Sequence, residues 1–419
     1  MKLLVRGLIV VGVLACAWMG YVVLRAQRGL AEGERLLKRN ALQAAHRELR
    51  QYLWLHPRDA RGLLLEAEVL TRDESIDNEI AIQQAMALLN RIPDSDPKGA
   101  EARGKQGRLT YFVEHKPIAA ERYYRKAIEL DPEFVEYRYL CWKLLDLSGR
   151  SEYSEDLFWG LYERVSDADR PVLMREWYMS QFFQSTANPM ADVLMGFKDL
   201  DKPVQMNPEY LRLKENRDSE PEEPANHAAL ARWFQHDGDH GTALALLEAG
   251  LKVPGADHHP FFLAVLLETL FERGELDRAK QYFQNWPEPH DGYDYWHWKG
   301  MLADEADRDY EGAIDAYDRS LAFWPGPVDW RTMNRKANCL ARLRRADEAA
   351  AVRKRSKEIE LQMDLDVHKE LREALADQNL REREYCQKLL KFYQVLGRER
   401  EVEGWQKVID FLPAKSPGN

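Results

Sequence analysis

Three groups of residues have the types and spacings that binding or chemistry would need. The densest is His236-Asp237-Gly238-Asp239-His240, followed by Asp257-His258-His259. Imidazoles and carboxylates at such density could hold zinc or another transition metal if the two segments met in space. The same residues are expected in solvent-washed connections between helices, where Asp caps and Gly turns the chain, and that reading is preferred. The second group is the aromatic run Tyr293, Tyr295, Trp296 and Trp298, with Asp294, His297 and Met301 on the same stretch. The third is Arg331, Asn334, Arg335 and Asn338. Residues three and four apart share a helix face, so these four form a basic and amide-bearing strip.

Other chemistry is not signalled. The sequence has no glycine-rich phosphate loop, G-x-S-x-G elbow or H-E-x-x-H pair, so the expectation is a non-enzyme with no cofactor and no metal. Cys16, Cys141, Cys339 and Cys386 are too scattered for a zinc knuckle or redox motif and leave the redox compartment open. A net charge of −10 gives no overall field for nucleic acid, and no run fits a helix-turn-helix, finger or aromatic RNA-binding pattern.

The elements that must position these groups are helices. Hydrophobic residues make up 45% of the 419 and charged residues 31%, which describes a folded chain with a wet surface. Apolar residues recur at helical spacing between polar turns, with almost no alternating β-branched runs. Prolines at 57, 93, 132, 171, 208, 254, 287 and 325 mostly lie roughly 33–39 residues apart, near the period of a two-helix repeat of about 34 residues.

The second helix of each unit carries a more specific pattern. AAERYYRKAIELDP places Ala120, Tyr124, Ala127 and Pro132, and GAIDAYDRSLAFWP places Ala313, Tyr317, Ser320 and Pro325, at equal spacings. HAALARWFQHDGDHGTALALLEAGLKVP adds Leu230, Ala231 and Phe234 in a first helix, Gly238 in the turn, then Ala243, Leu247, Gly250 and Pro254. Ala45 with Pro57, Gly274 with Ala279 and Phe283, and Ala337 with Ala349 match in part. The pattern resembles the tetratricopeptide repeat (TPR) family, and more narrowly its membrane-anchored bacterial-type members. The resemblance implies an all-α superhelix of antiparallel helix pairs with a concave binding face. Small residues let backbones approach at each crossing, large ones fill the groove beside them, and proline ends the second helix.

The resemblance also gives the second and third groups a setting. Trp296 and Gly300 match the family's structural Trp and Gly, so most of the aromatic run is expected in the core, with Trp298 a candidate for ligand contact. The Arg331 strip is similar to part of the carboxylate clamp by which some family members hold a peptide's C-terminal acid. Asp294, His297 and Met301 on the preceding unit depart from the full clamp, and a plain exposed basic helix is the favoured alternative. The candidate peptide-binding groove is thus His297, Trp298, Met301, Arg331, Asn334, Arg335 and Asn338.

Gly7 to Leu24 is an uncharged run between Lys2 and Arg6 on one side and Arg25 and Arg28 on the other. As a helix it would span about 27 Å, and it is read as a single-pass anchor in the bilayer in preference to a cleaved signal or a lipoprotein signal at Cys16. The expected organisation is an anchor over 1–25, a first array over 26–213, and an acidic linker or long loop over 214–225. A second array over 226–363, polar capping helices over 364–413 and a loose tail over 414–419 complete it. The function expected is a membrane-tethered scaffold binding a protein or peptide, its soluble part extracytoplasmic. The alternatives are a solute- or envelope-polymer-binding protein and, less favoured, a metal-dependent enzyme.

Overall fold

The computed structural model describes residues 28–182, 207–376 and 379–413, and all regular structure among them is helical. The chain forms two compact units, Met1–Tyr137 and Arg138–Asn419. Among the described residues no helix is long and apolar enough to cross a membrane. The 7–24 run expected as the anchor, and the tail over 414–419, lie outside them.

The first unit contains α1 (28–38), α2 (Leu42–Leu55), α3 (Ala60–Arg72), α4 (Asn78–Leu89), α5 (Gly99–Phe112) and α6 (Pro117–Leu130). α2 turns Ala45, Leu49, Tyr52 and Leu53 inward at helical spacing, where they meet Leu37, Leu63 and Val69 among others. Each buried leucine among them contributes roughly 1.5–3 kcal/mol. Asp59 caps α3 by accepting from the Gly62 amide at 2.7 Å, and Asp77 caps α4 in the same manner. Ala120, Tyr124 and Ala127 are fully buried on α6, and a Cβ on Gly107 of α5 would come within 2.9 Å of the Tyr124 ring. This is the close crossing that the small-residue spacing predicts.

The second unit takes in most of α7 (Val135–Leu147), then α8 (Glu155–Tyr162), α9 (Arg170–Phe182), α10 (Pro208–Ser219) and α11 (Pro224–His236). From α11 on the helices follow in pairs: α11 with α12 (His240–Gly250), α13 (Pro260–Glu272) with α14 (Leu276–Phe283), α15 (Gly292–Leu302) with α16 (Tyr310–Ser320), and α17 (Trp330–Arg342) with the helix that follows it. α18 (Ala346–Gln362), α19 (Leu365–Ala374), α20 (Arg383–Leu396) and α21 (Glu399–Phe411) end the chain. Ala243, Ala279, Ala313, Ala337 and Ala349 are all buried to 1% or less. Gly300 lies so close to Tyr317 that a Cβ there would meet the ring at 2.6 Å.

Two segments differ from their composition. The 214–225 stretch, read as a linker, is helical through Ser219 and opens α11 at Pro224, leaving only a short turn. The turn is held from inside: the buried Asn226 amide donates to the Asn216 and Glu220 carbonyls and to the Glu220 carboxylate. The C-terminal helices, read as a polar cover, bury Leu389, Phe392, Tyr393, Trp405 and Val408. Their partners are α8 and α9. Tyr393 donates to Gln181 at 2.8 Å, Tyr162 to the Gly404 carbonyl at 3.0 Å, and the Tyr178 hydroxyl meets His368 Nδ1 at 2.6 Å. Apart from Arg398 and Glu401, most of their charged positions lie on the outward faces, which is why composition alone reads them as solvated.

Candidate functional site

In the second unit α11, α13, α15 and α17 are the first helices of successive pairs, and each places polar side chains on one connected row. α11 supplies Arg232, α13 supplies Glu268, α15 supplies Tyr293, Asp294 and His297, and α17 supplies Thr332 and Arg335 after its N-capping Asp329. Asp329 caps α17 by accepting from the Thr332 amide at 3.0 Å while its other oxygen accepts from the Tyr293 hydroxyl at 2.7 Å. His297 Nδ1 lies 3.1 Å from the Thr332 hydroxyl and 3.9 Å from Asp329.

The row is joined by a piece of chain that no local pattern marks. The 3₁₀ turn Ser151–Tyr153 sets Glu152 in an ion pair with Arg232 and lets the Tyr153 hydroxyl donate to Asp294 at 2.5 Å. Tyr153 also meets the Phe261 ring edge-on at 5.8 Å, and the Arg232 guanidinium lies over the same ring at 4.9 Å. Tyr153 nevertheless keeps 40% of its surface exposed, so the turn lies on the row without sealing it.

Burial among so many charges shifts the titrating groups. It pushes the Asp294 carboxyl up to about 6, with Glu152 and Glu268 adding to the effect and Arg232 opposing it. Burial raises Glu268 as well, against the pull of Arg232. Burial alone would lower the Arg232 guanidinium, but Glu152, Glu268, Tyr153 and Asp294 hold it above its ordinary value. His297 is pushed down by burial and only partly lifted by Asp329, which favours the neutral imidazole. The row therefore sets carboxylates and an imidazole among two firmly cationic arginines, Arg232 and Arg335.

The expected groove residues fall into two sets. His297, Arg331, Asn334, Arg335 and Asn338 retain accessible surface. Arg335 pairs with Glu305 at 2.6 Å, Arg331 stacks over Trp330 at 4.8 Å, and Asn338 accepts from Arg353 at 3.3 Å. Trp298 and Met301 are each only 6% exposed: Trp298 packs on Phe271, and the Met301 sulfur lies 3.6 Å from the Tyr317 hydroxyl. They form the wall behind the row and have little surface for a ligand. Tyr295 is buried too, while half-buried Trp296 is covered by Lys299 and Arg319.

The His-Asp segments serve the helix ends. Gly238 adopts φ +83° in the turn, and Asp239 caps α12 by accepting from the Thr242 amide at 2.9 Å. His259 Nδ1 caps α13 by accepting from the Phe262 amide at 3.3 Å, and His258 contacts Asp257. Among the described residues no group of three or more His, Cys, Asp or Glu side chains could hold a metal ion.

Sequence reasoning missed Glu152, Tyr153, Arg232, Glu268 and Asp329, which come from four separate elements. One signal was available: Glu268 stands alone in the otherwise apolar run PFFLAVLLETLF, where an uncompensated carboxylate is costly and implies a partner.

No family model matches the chain, and no curated protein matches it. Solved structures do. Among them is the APC/C hetero-tetramer Cut9-Hcn1, at 12% identity over 93% of this chain and 96% of that one, with a TM-score of 0.36. The human IFIT1 dimer with PPP-AAAA follows at 13% identity over 91% and 82%, with a TM-score of 0.30. The P58(IPK) TPR domain matches at 15% identity over 92% and 98%, with a TM-score of 0.24. At these values the likeness carries no argument about function, and the architecture rests on the helix pairing described above.

Proposed function

We propose that the chain is a non-catalytic scaffold, tethered to a membrane by the 7–24 run, that holds an extended protein or peptide segment along the first helices of its second array. The observation behind this reading is the grip the row already has on a short 3₁₀ turn of its own chain, with Arg232 holding Glu152 and Asp294 holding Tyr153. A foreign segment presents the same groups, and the stretch from His297 through Arg331, Asn334, Arg335 and Asn338 offers both charge signs to receive it.

A photo-crosslinking residue placed at Asn334 in the full-length protein tests the reading in native membranes. The expected result is a discrete protein adduct from that position and none from Glu311, an exposed site on the neighbouring second helix. Equal labelling from both positions, or from neither, overturns it.

A further inference from the structure

The outward face of α2 has a composition that an aqueous surface does not need. Arg47, Arg50, Gln51 and Trp54 are all exposed, and at helical spacing they fall within about a third of the helix circumference, opposite the buried Ala45, Leu49 and Tyr52. Trp54 keeps 74% of its surface, the largest share among the exposed large hydrophobics of the described residues, and Arg58 is exposed in the turn just beyond. Arg47, Arg50 and Arg58 form no ion pair among the described residues. Residues 28–61 carry eight Lys or Arg against four Asp or Glu, a local net of +4 in a chain whose net charge is −10.

The pairing of α1 with α2 places this face. A Cβ on Gly33 would meet Leu49, and one on Gly29 would meet the Glu48 carbonyl and Tyr52 Cβ, so the two helices run antiparallel. The Trp54 end of α2 therefore lies beside the start of the described α1. The sequence sets Gly7–Leu24 only a few residues upstream of that point. Arg50 stands about one helical turn above Trp54, within one Debye length of a surface at the Trp54 level, and Arg47 stands about 10 Å above it, at about one Debye length.

We propose that this end of the first unit rests on an anionic bilayer surface, with Trp54 in the headgroup layer and Arg47, Arg50 and Arg58 held by lipid phosphates. A tryptophan with an apolar body and one donor suits that depth, and a bilayer with negative headgroups complements the local charge. The contact fixes the first unit against the membrane in place of letting it swing on a tether. The inference rests on the tethering part of the reading above and is independent of the peptide-binding row.

The test uses the full-length chain carrying Gln51→Cys with a polarity-sensitive dye, reconstituted in nanodiscs of phosphatidylcholine alone or with phosphatidylglycerol. The described native cysteines are buried, which favours labelling at the new site. The expected result is a blue-shifted, brighter dye only in discs containing phosphatidylglycerol. The signal should be lost in Arg47→Glu/Arg50→Glu/Arg58→Glu and reduced in Trp54→Ser, with helical circular dichroism unchanged in both. Each arginine is expected to change the partition roughly fivefold. Dye emission indifferent to lipid charge in a retained protein overturns the surface contact alone. A protein that leaves neutral discs refutes the tether, and the contact then survives only if discs with phosphatidylglycerol still hold it and the arginine reversals release it.

Discussion

The hydroxyl of Tyr153 donates to a carboxylate oxygen of Asp294 at 2.5 Å, joining residues 141 positions apart. A double-mutant cycle of Tyr153→Phe and Asp294→Asn should therefore show a coupling on the order of 1 kcal/mol in urea unfolding, the modest size following from the exposure of Tyr153. Tyr153→Phe alone should also raise the Asp294 carboxyl further, because the lost hydrogen bond favours its ionised form. Strict additivity of the two substitutions would show that the turn does not depend on this pair.

The buried Glu66 carboxyl lies 2.6 Å from His46 Nδ1 in the first unit. Burial pushes Glu66 up to about 7 with only partial opposition from Arg50, and burial lowers His46, so both groups favour their neutral forms. A folded-state value above the unfolded one means that this contribution is fully present below about pH 4.5 and is lost as pH rises through about 7. Glu66→Gln should match the wild type near pH 4.5 and exceed it at pH 8, by up to about 3 kcal/mol. Parallel stability profiles from pH 4.5 to 8 would contradict the raised Glu66 carboxyl.

Arg398 is 10% exposed and bonds both Glu155, at 2.7 Å, and the buried Glu401. Glu401 also accepts from Trp177 at 3.1 Å and from Gln181 at 3.2 Å, which ties α21 to α9. Arg398→Met strands a buried charge and should cost about 3–5 kcal/mol, and adding Glu401→Leu should restore much of it. Tryptophan fluorescence during chemical unfolding reads both variants. A loss under about 1 kcal/mol in the single variant would mean that the C-terminal helices do not depend on this network.

Arg331→Ala combined with Arg335→Ala should leave helical circular dichroism intact, since the Arg335–Glu305 pair is largely exposed and such pairs contribute about 0.2–1 kcal/mol. If the crosslinked partner brings a carboxylate to this strip, its affinity should fall at least about tenfold and depend less on salt. Unchanged binding would leave the strip as a solvated helix face.

Helix type, repeat period and the buried small residues were decided locally. Ala120, Ala243 and Ala313 must be small because two backbones cross there, and that demand is written at fixed intervals along the chain. What the C-terminal helices cover was not local. The sequence shows that α20 is amphipathic, but the choice of α9 as its partner depends on Tyr393 reaching Gln181 across 212 positions. The same holds for the row of first helices. Asp329 reads as a helix cap and Glu268 as a lone acid in an apolar run, while Arg232 carries no mark at all. Only the packing of four helices and one turn converts them into a single charged surface, because side chains share a field through distance in space and not through position along the chain.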